Sequence, residues 1–182
     1  MKKFELTGEF IVFQGKKLFK IKALIDFGDV KRGEFGGFLE KEENLSQDGD
    51  AWVDGNARVS GSAWVYGDAR VSGDAWVDGD AWVSGSARVD GNARVSGSAW
   101  VDGNARVYGS ADYACVKGFG RECRNTTFFR TKDGGVSVVC GCFHGTMQEF
   151  REKVKETHGE SKMAKEYLMI ADLMKMHFDK ED

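Results

Sequence analysis

Small apolar and polar positions alternate with a short, constant period through the middle of the chain. From Gly49 to Tyr108 a six-residue unit recurs in the order Gly, a small polar residue, Ala, Trp or Arg, Val and one variable residue. Ten intact copies follow one another, and a degraded copy, GSADYA, ends the series at residues 109–114. A short period kept over so many copies is typical of solenoids, in which each unit packs on the next.

Each unit predicts a short strand followed by a turn. In the stretch Ala-Trp/Arg-Val the side chains alternate, so Ala and Val lie on one side and Trp or Arg on the other. We expect Ala and Val to face the interior. Glycine tolerates a positive φ, and the neighbouring Asp, Asn or Ser can bond to the backbone, so the remaining positions predict the turn.

This pattern resembles the hexapeptide-repeat, left-handed parallel β-helix, in which three hexads form one triangular coil of eighteen residues. Together with the upstream stretch ALIDFGDVKRGEFGGFLEKEENLSQDGD, the repeats are similar to bacterial and phage proteins labelled putative hexapeptide transferases, over roughly residues 18–112. The resemblance departs in one detail, because Asp54 separates Val53 from Gly55 where the usual repeat places Gly directly after the aliphatic residue. It implies a mainly β fold, and a homotrimer in which the β-helices of three protomers pack side by side.

A coil of eighteen residues would stack the outward residues into columns with a spacing of about 4.8 Å. The expected columns are Trp52, Arg70, Arg88 and Arg106 on one face, Arg58, Trp76 and Arg94 on the second, and Trp64, Trp82 and Trp100 on the third. Three aligned indoles would form an apolar patch near the largest that soluble monomers expose. We expect an oligomer interface to cover it, and the alternatives are a stacking platform for a planar ligand and an exposed, self-stacked ladder.

The arginine column places like charges one strand apart, which costs about 1 kcal/mol for each neighbouring pair. One interpretation is compensation by nearby carboxylates such as Asp54 and Asp90, or by cation–π contact with a tryptophan of a packed neighbour. The other is an anion site for a phosphate or nucleotide, with Arg from one protomer and Trp from another.

The flanking segments predict a cap and a further domain. Residues 1–48 are expected to form a hairpin that caps the end of the β-helix at residues 49–114, followed by a Gly-rich loop that enters the first, irregular coil. Residues 115–182 predict a small ββαα domain, whose hairpin closes through residues 132–135. Thr146 and Glu149 form a capping box for the helix MQEFREKVKETH, and a second helix runs from Ser161 to Phe178. The stretch CGCFHGTMQEFREKVKETHG resembles a tail found on phage-encoded proteins.

Charge and composition narrow the partners and the compartment. The net charge is −3, and the repeats carry five basic and nine acidic residues, so we expect no binding to membranes or long nucleic acid. The start MKKFELTGEF does not resemble a signal peptide, and no apolar run approaches about 18 residues. A cytoplasmic location is predicted, in a bacterial host cell if the protein is phage-encoded.

The cysteines lie outside the repeats, which fits a reduced cytosolic protein. Cys140 and Cys142 are expected on one face of a strand, where Cys115, Cys123 and His144 could complete a zinc site. The C-x-C spacing is weak evidence for a metal, and we predict neither a metal nor a cofactor.

Function is constrained by the absence of histidine from the repeats. The acyltransferases that share this hexapeptide-repeat β-helix use a histidine near a groove between protomers. In this chain His144, His158 and His177 all follow the repeats. The leading hypothesis is a non-catalytic, phage-type oligomeric protein that binds a small anionic or nucleotide ligand at surfaces lined by Trp and Arg. The phage-like resemblance suggests a host-defence signal as one such ligand. A hexapeptide-repeat acyltransferase and a structural or protein-binding scaffold are the alternatives.

Overall fold

A computed structural model describes residues 1–179 as two compact units, the second of which begins at Ala111. The first unit is a parallel β-solenoid of about 4 turns with an N-terminal hairpin, and the second is an antiparallel sheet with two helices. The mainly β class, the solenoid and the small C-terminal sheet with two helices are therefore confirmed. No helix among the described residues is long and apolar enough to cross a membrane.

The first unit has three longer strands and ten strands of two residues each. The longer strands are β1 (Phe4–Phe13), β2 (Lys16–Ala23) and β3 (Phe35–Leu39). The short strands are β4 (Trp52–Val53), β5 (Arg58–Val59), β6 (Trp64–Val65), β7 (Arg70–Val71), β8 (Trp76–Val77), β9 (Trp82–Val83), β10 (Arg88–Val89), β11 (Arg94–Val95), β12 (Trp100–Val101) and β13 (Arg106–Val107).

Three parallel sheets form the walls of the solenoid. Face 1 contains β4, β7, β10 and β13, face 2 contains β3, β5, β8 and β11, and face 3 contains β6, β9 and β12. Every Ala and Val of the intact repeats is at most 1% exposed, which confirms the predicted interior. The turn glycines have positive φ, and a Cβ on Gly85 (φ +60) would lie 2.7 Å from the backbone nitrogen of Gly103 one coil later. Glycine is therefore needed for both conformation and close stacking.

The first coil is irregular and begins within the segment predicted as a cap. Leu39 pairs with Val59, and Leu45 forms a bridge to Val65, so both leucines begin the inward columns that valines continue. Strand β2 pairs antiparallel with the other edge of β3, and β1 pairs with β2. The hairpin thus extends the sheet of face 2 beyond the first coil.

Buried polar side chains cover the strand edges at the start of the other two faces. The Lys3 amine donates to the carbonyls of Gly49 (3.2 Å) and Ala51 (2.9 Å) on face 1. The Asn44 amide donates to the carbonyls of Gly61 (3.2 Å) and Ala63 (2.8 Å) on face 3. The carbonyls eighteen residues later accept backbone N–H groups of the preceding coil. Lys3 and Asn44 therefore supply side-chain donors to carbonyls at the start of faces 1 and 3, where no further coil donates backbone N–H groups to them.

The second unit contains four strands where the sequence predicted two. They are β14 (Tyr113–Phe119), β15 (Arg124–Arg130), β16 (Val136–Cys140) and β17 (Phe143–Thr146), in that order across the sheet. The predicted hairpin is β15–β16, and the outer strands were missed because they lie at the edges of the sheet and are at most partly buried. Helices α1 (Met147–His158) and α2 (Lys162–Phe178) confirm the predicted pair. Thr146 and Glu149 form the predicted capping box, and Gly159 (φ +56) follows α1.

Candidate functional site: the outward columns of the solenoid

The outward residues stack in the register that a coil of eighteen residues predicts. Face 1 carries the column Trp52, Arg70, Arg88 and Arg106, face 2 carries Arg58, Trp76 and Arg94, and face 3 carries Trp64, Trp82 and Trp100. Each of these side chains follows an inward Ala and precedes an inward Val, so their local settings are equivalent. Their environments on the three faces nevertheless differ.

On face 1, Trp52 is completely buried although its side chain lies on the outside of the coil. Phe4 and Phe27 contact it edge-to-face, with ring centroids 6.4 Å and 5.4 Å from that of Trp52. The Lys3 amine lies 5.0 Å from the Phe27 ring centroid. The N-terminal segment thus folds over the first outward position of this face and removes it from any binding surface.

The arginines of face 1 differ in the groups that offset the repulsion between their charges. Arg70 forms an ion pair with Asp29, and the neighbouring Gly28 (φ +50) leaves room for the guanidinium. Burial and the charge of Arg88 lower the pKa of Arg70. Arg106 donates to the carbonyls of Ser86 and Ala105, each at 3.2 Å. Arg88 is exposed, and no carboxylate within residues 1–179 lies at ion-pair distance from it.

The carboxylates expected to compensate this column have another role. Asp54 and Asp90 accept hydrogen bonds from the N–H groups of the glycines that follow them, each at 2.6 Å. The expectation that they pair with the arginines is therefore wrong, and the reason is that a short Asp side chain reaches its own turn more easily. The partner of Arg70 is Asp29 in the N-terminal loop.

On face 2, aromatic rings and guanidinium groups alternate. The Phe13 ring packs edge-to-face on Trp76 with centroids 4.9 Å apart, and Trp76 is only 8% exposed. The Arg58 guanidinium lies 4.5 Å from the Phe13 ring, and that of Arg94 lies 3.9 Å from the Trp76 ring. The Trp76 indole also donates to Ser60 Oγ at 3.5 Å. The tip of the hairpin and two cation–π contacts therefore close this face.

On face 3, Trp64 and Trp82 are 37% and 41% exposed, whereas Trp100 is partly buried. The ring centroids of Trp64 and Trp82 lie 5.9 Å apart at 90°, and those of Trp82 and Trp100 lie 5.4 Å apart at 74°. Tyr66 stacks on Trp64 at 4.1 Å and 22°. We name Trp64, Tyr66, Trp82 and Trp100 the aromatic ladder. It combines a solvent-exposed apolar surface with edge-to-face contacts along the solenoid axis.

Sequence reasoning missed Tyr66 as a member of the ladder. It occupies the variable sixth position of its repeat, two residues after Trp64, and therefore projects on the same side. That signal was present in the repeat alignment, since the sixth position otherwise holds Asp or Ser next to each ladder tryptophan.

The cysteines and histidines all lie outside the solenoid. Cys140 is the last residue of β16, and Gly141 (φ +61) then turns the chain, so the expectation that Cys140 and Cys142 share a strand face is wrong. The thiols of Cys140 and Cys115 accept hydrogen bonds from Thr126 (3.1 Å) and Thr127 (3.8 Å). Within residues 1–179 no group of three or more His, Cys, Asp or Glu side chains is arranged to hold a metal ion.

The comparison with protein families agrees with this architecture. A family model described as the YdcK beta solenoid repeat matches residues 55–67, 63–79 and 87–102. No curated protein matches the chain. The matched segments cover the middle of the solenoid and all three faces. By its repeats and by its structure, the chain is a β-solenoid repeat protein.

Proposed function

We propose that this protein is a non-catalytic, self-associating binding protein whose aromatic ladder packs against an arginine-bearing face of a second copy. The observation that carries the proposal is the difference in solvent exposure between tryptophans at equivalent repeat positions. Trp52 and Trp76 are 0% and 8% exposed, whereas Trp64 and Trp82 are 37% and 41% exposed. A face that leaves two large indoles in water is a recognition surface by its chemistry, because Trp and Arg are enriched where protein interfaces gain most energy.

The groups that cover Trp76 within the chain favour a second copy as the partner of the aromatic ladder. Trp76 is covered by an aromatic ring and by the guanidinium of Arg94. Arg88 on face 1 is exposed and offers the same group, with no ion-pair partner among residues 1–179. Packing face 3 of one copy on face 1 of the next would join two different surfaces, and such a contact closes into a ring when the rotation permits. The resemblance of the repeats to hexapeptide-repeat β-helices, which pack side by side as trimers, favours a ring of three.

Charge complementarity supports the same pairing. An open depression beside Trp64 is bordered by Glu42, Glu43, Leu45 and Gln47. Glu42 is paired with Lys2 at 2.8 Å, but Glu43 is exposed and has no cation at ion-pair distance within residues 1–179. An arginine column brought against the ladder would meet both indole faces and this carboxylate.

A small anion is the second candidate ligand at the contact between face 3 of one copy and face 1 of the next, which we call the seam. Arg88 lies between Arg70 and Arg106 in the paired strands, so three cations follow one another at strand spacing. A phosphate or nucleotide bound by Arg88 and stacked on a partner's indole would relieve that repulsion and would agree with the phage-type ligand hypothesis. The hexapeptide-transferase activity stays an alternative, for which turnover of acetyl-coenzyme A is the direct assay.

Analytical ultracentrifugation tests the self-association. We expect the wild type to sediment at three times the monomer mass of 20.1 kDa, and Trp82→Ala to sediment as a monomer with an unchanged circular dichroism spectrum. Met169→Ala is the matched control, because Met169 is 71% exposed and lies in the second unit. A wild type that stays monomeric at all concentrations, or a Trp82→Ala variant that stays trimeric, would contradict the proposal.

Calorimetry separates the two candidates. If a nucleotide occupies the seam, a panel of mono- and dinucleotides will contain a binder whose affinity falls in Arg88→Gln and in Trp82→Ala alike. If the seam is a protein contact alone, no member of the panel binds while the trimer persists.

A further inference from the structure

The second unit contains a pocket that the solenoid proposal does not use. Its volume is about 380 Å³, which lies within the range found for small-molecule binding sites. About a dozen water molecules would fill it. The walls come from β16, β17, α1 and α2 and from the turn between β14 and β15. All of these elements belong to one compact unit, so the pocket is complete within it.

The floor of the pocket is aromatic and rigid. Phe150 packs on Phe143 and on Tyr167, with ring centroids 5.6 Å and 5.9 Å apart, and His158 stacks on Tyr167 at 5.9 Å and 23°. The Tyr167 hydroxyl donates to the Phe119 carbonyl at 3.2 Å, which fixes the ring. Burial and the neighbouring Cys140 raise the pKa of Tyr167 to about 12, so this side chain stays uncharged at neutral pH.

The rim of the pocket is basic, with Arg121, Arg124 and Lys153 against one acid, Glu122. Lys153 is paired with Glu156 at 2.8 Å, and Arg121 contacts Glu122 at 4.0 Å. No carboxylate within residues 1–179 lies at ion-pair distance from Arg124.

The position of Arg124 is set by the turn that follows β16. A Cβ on Gly141 would collide with the Arg124 guanidinium, so the side chain lies across this glycine at the mouth of the pocket. Gly141 also needs its positive φ of +61 to make the turn. The missing side chain of Gly141 thus leaves room, beside an apolar cavity, for a guanidinium that has no ion-pair partner in the described part of the chain.

We propose that this pocket binds a small organic anion with an aromatic or branched apolar body, whose carboxylate is held by Arg124. The apolar body would occupy the cavity over Phe143, Phe150 and Val154, where it loses contact with water. The carboxylate would remain at the mouth, because the Tyr167 hydroxyl on the floor is already bonded to the Phe119 carbonyl and Arg124 is exposed. The guanidinium is the natural partner there, since its planar fork matches a carboxylate with two parallel hydrogen bonds.

Fluorine NMR titrations of the full chain test the proposal with two probes of the same size and shape. They are para-fluorophenylacetate, which carries the carboxylate, and para-fluorophenethyl alcohol, which does not. We expect the carboxylate to bind about tenfold more tightly than the alcohol, because a hydrogen bond to a charged group contributes more than a neutral one.

Three variants locate the binding. Arg124→Gln should weaken the carboxylate about tenfold and leave the alcohol unchanged. Thr157→Trp, at an exposed helix position on the pocket wall, should remove the binding of both probes by filling the cavity. Arg32→Gln removes the same charge from an exposed site in the other unit and should change neither.

Three outcomes would overturn the proposal. The first is that neither probe binds to the wild type. The second is equal affinity for the carboxylate and the alcohol, which would leave an apolar cavity without anion recognition. The third is carboxylate binding that survives in both Arg124→Gln and Thr157→Trp, which would place the site elsewhere.

Discussion

The tryptophans at equivalent repeat positions are buried on faces 1 and 2 of the solenoid, whereas Trp64 and Trp82 on face 3 are exposed. Trp52 and Trp82 both stand between an inward Ala and an inward Val, yet the first is 0% and the second 41% exposed. The difference comes from Phe4 and Phe27, which lie far away in sequence and pack on Trp52 alone. The repeat therefore decides which way a side chain points, and the N-terminal segment decides whether it meets water.

Each covered tryptophan also has a cation in its cover. Lys3 lies over the Phe27 ring that packs on Trp52, and Arg94 lies over Trp76. Within residues 1–179, Trp64 and Trp82 contact other rings of the aromatic ladder, and neither has a cation over its ring. In the proposed interface, an arginine of a second copy would supply that cation.

The comparison is tested most strongly by removing one tryptophan from each kind of face. Trp52→Ala should lower the free energy of unfolding of the solenoid by about 3–5 kcal/mol, because it leaves a large cavity under the N-terminal segment. Trp82→Ala should lower it by about 1 kcal/mol in the isolated chain, since it removes only edge-to-face contacts. Urea titrations followed by circular dichroism measure both.

Protein concentration sharpens this measurement. If the ladder is an interface, the loss caused by Trp82→Ala grows with concentration, because association stabilises the wild type but not this variant. The loss caused by Trp52→Ala stays constant, because that variant keeps the ladder and associates as the wild type does. Equal losses for the two variants at high dilution would break the comparison.

The lysine in the cover of Trp52 predicts a dependence of stability on pH. Burial lowers the pKa of Lys3 from 10.5 to about 8, while the charges of Asp50 and Asp48 raise it and that of Arg70 lowers it further. Between these values the folded chain releases a proton that the unfolded chain keeps, so stability rises with pH. The gain from this group between pH 7 and 9 should be about 1 kcal/mol.

Lys3→Met isolates the contribution of this amine. The variant loses donors to the edge carbonyls of Gly49 and Ala51, so it should be less stable at pH 7. The difference from wild type should widen by about 1 kcal/mol on going to pH 9, because only the wild type gains from deprotonation. A difference that is constant over this range would show that Lys3 titrates normally. Lys2→Met, at an exposed neighbouring site, is the control.

The repeat was predictable because its determinants are local. The six-residue period specifies inward Val, turn Gly and outward Trp or Arg, and all of these occupy the expected places. The covers were not predictable, since Asp29 pairs with Arg70 through a loop whose path no periodicity encodes. The weak edge strands β14 and β17 were missed for a related reason, because sheet pairing, rather than their own sequence, makes them strands.

The candidate sites follow the same division. The sequence predicted the ladder tryptophans because residues eighteen apart must stack, but it could not show that Trp76 would be hidden by Phe13. The pocket of the second unit assembles residues from several elements. Its key charge, Arg124, gives no signal in the sequence, because its position depends on the missing side chain of Gly141.

The smallest expected effect separates an arginine with a cation–π partner from one without. Both Arg94 and Arg88 are exposed, but Arg94 lies 3.9 Å from the Trp76 ring, whereas Arg88 lies beside two other arginines of its column. Arg94→Gln should lower the free energy of unfolding by about 0.5–1 kcal/mol, because it removes a cation–π contact. Arg88→Gln should leave the isolated chain unchanged or slightly more stable, since it removes like-charge repulsion. Urea titrations at low protein concentration measure the pair. A loss for Arg88→Gln as large as that for Arg94→Gln would mean that Arg88 already has a stabilising partner within its own chain, and the free guanidinium that the proposed interface requires would not exist.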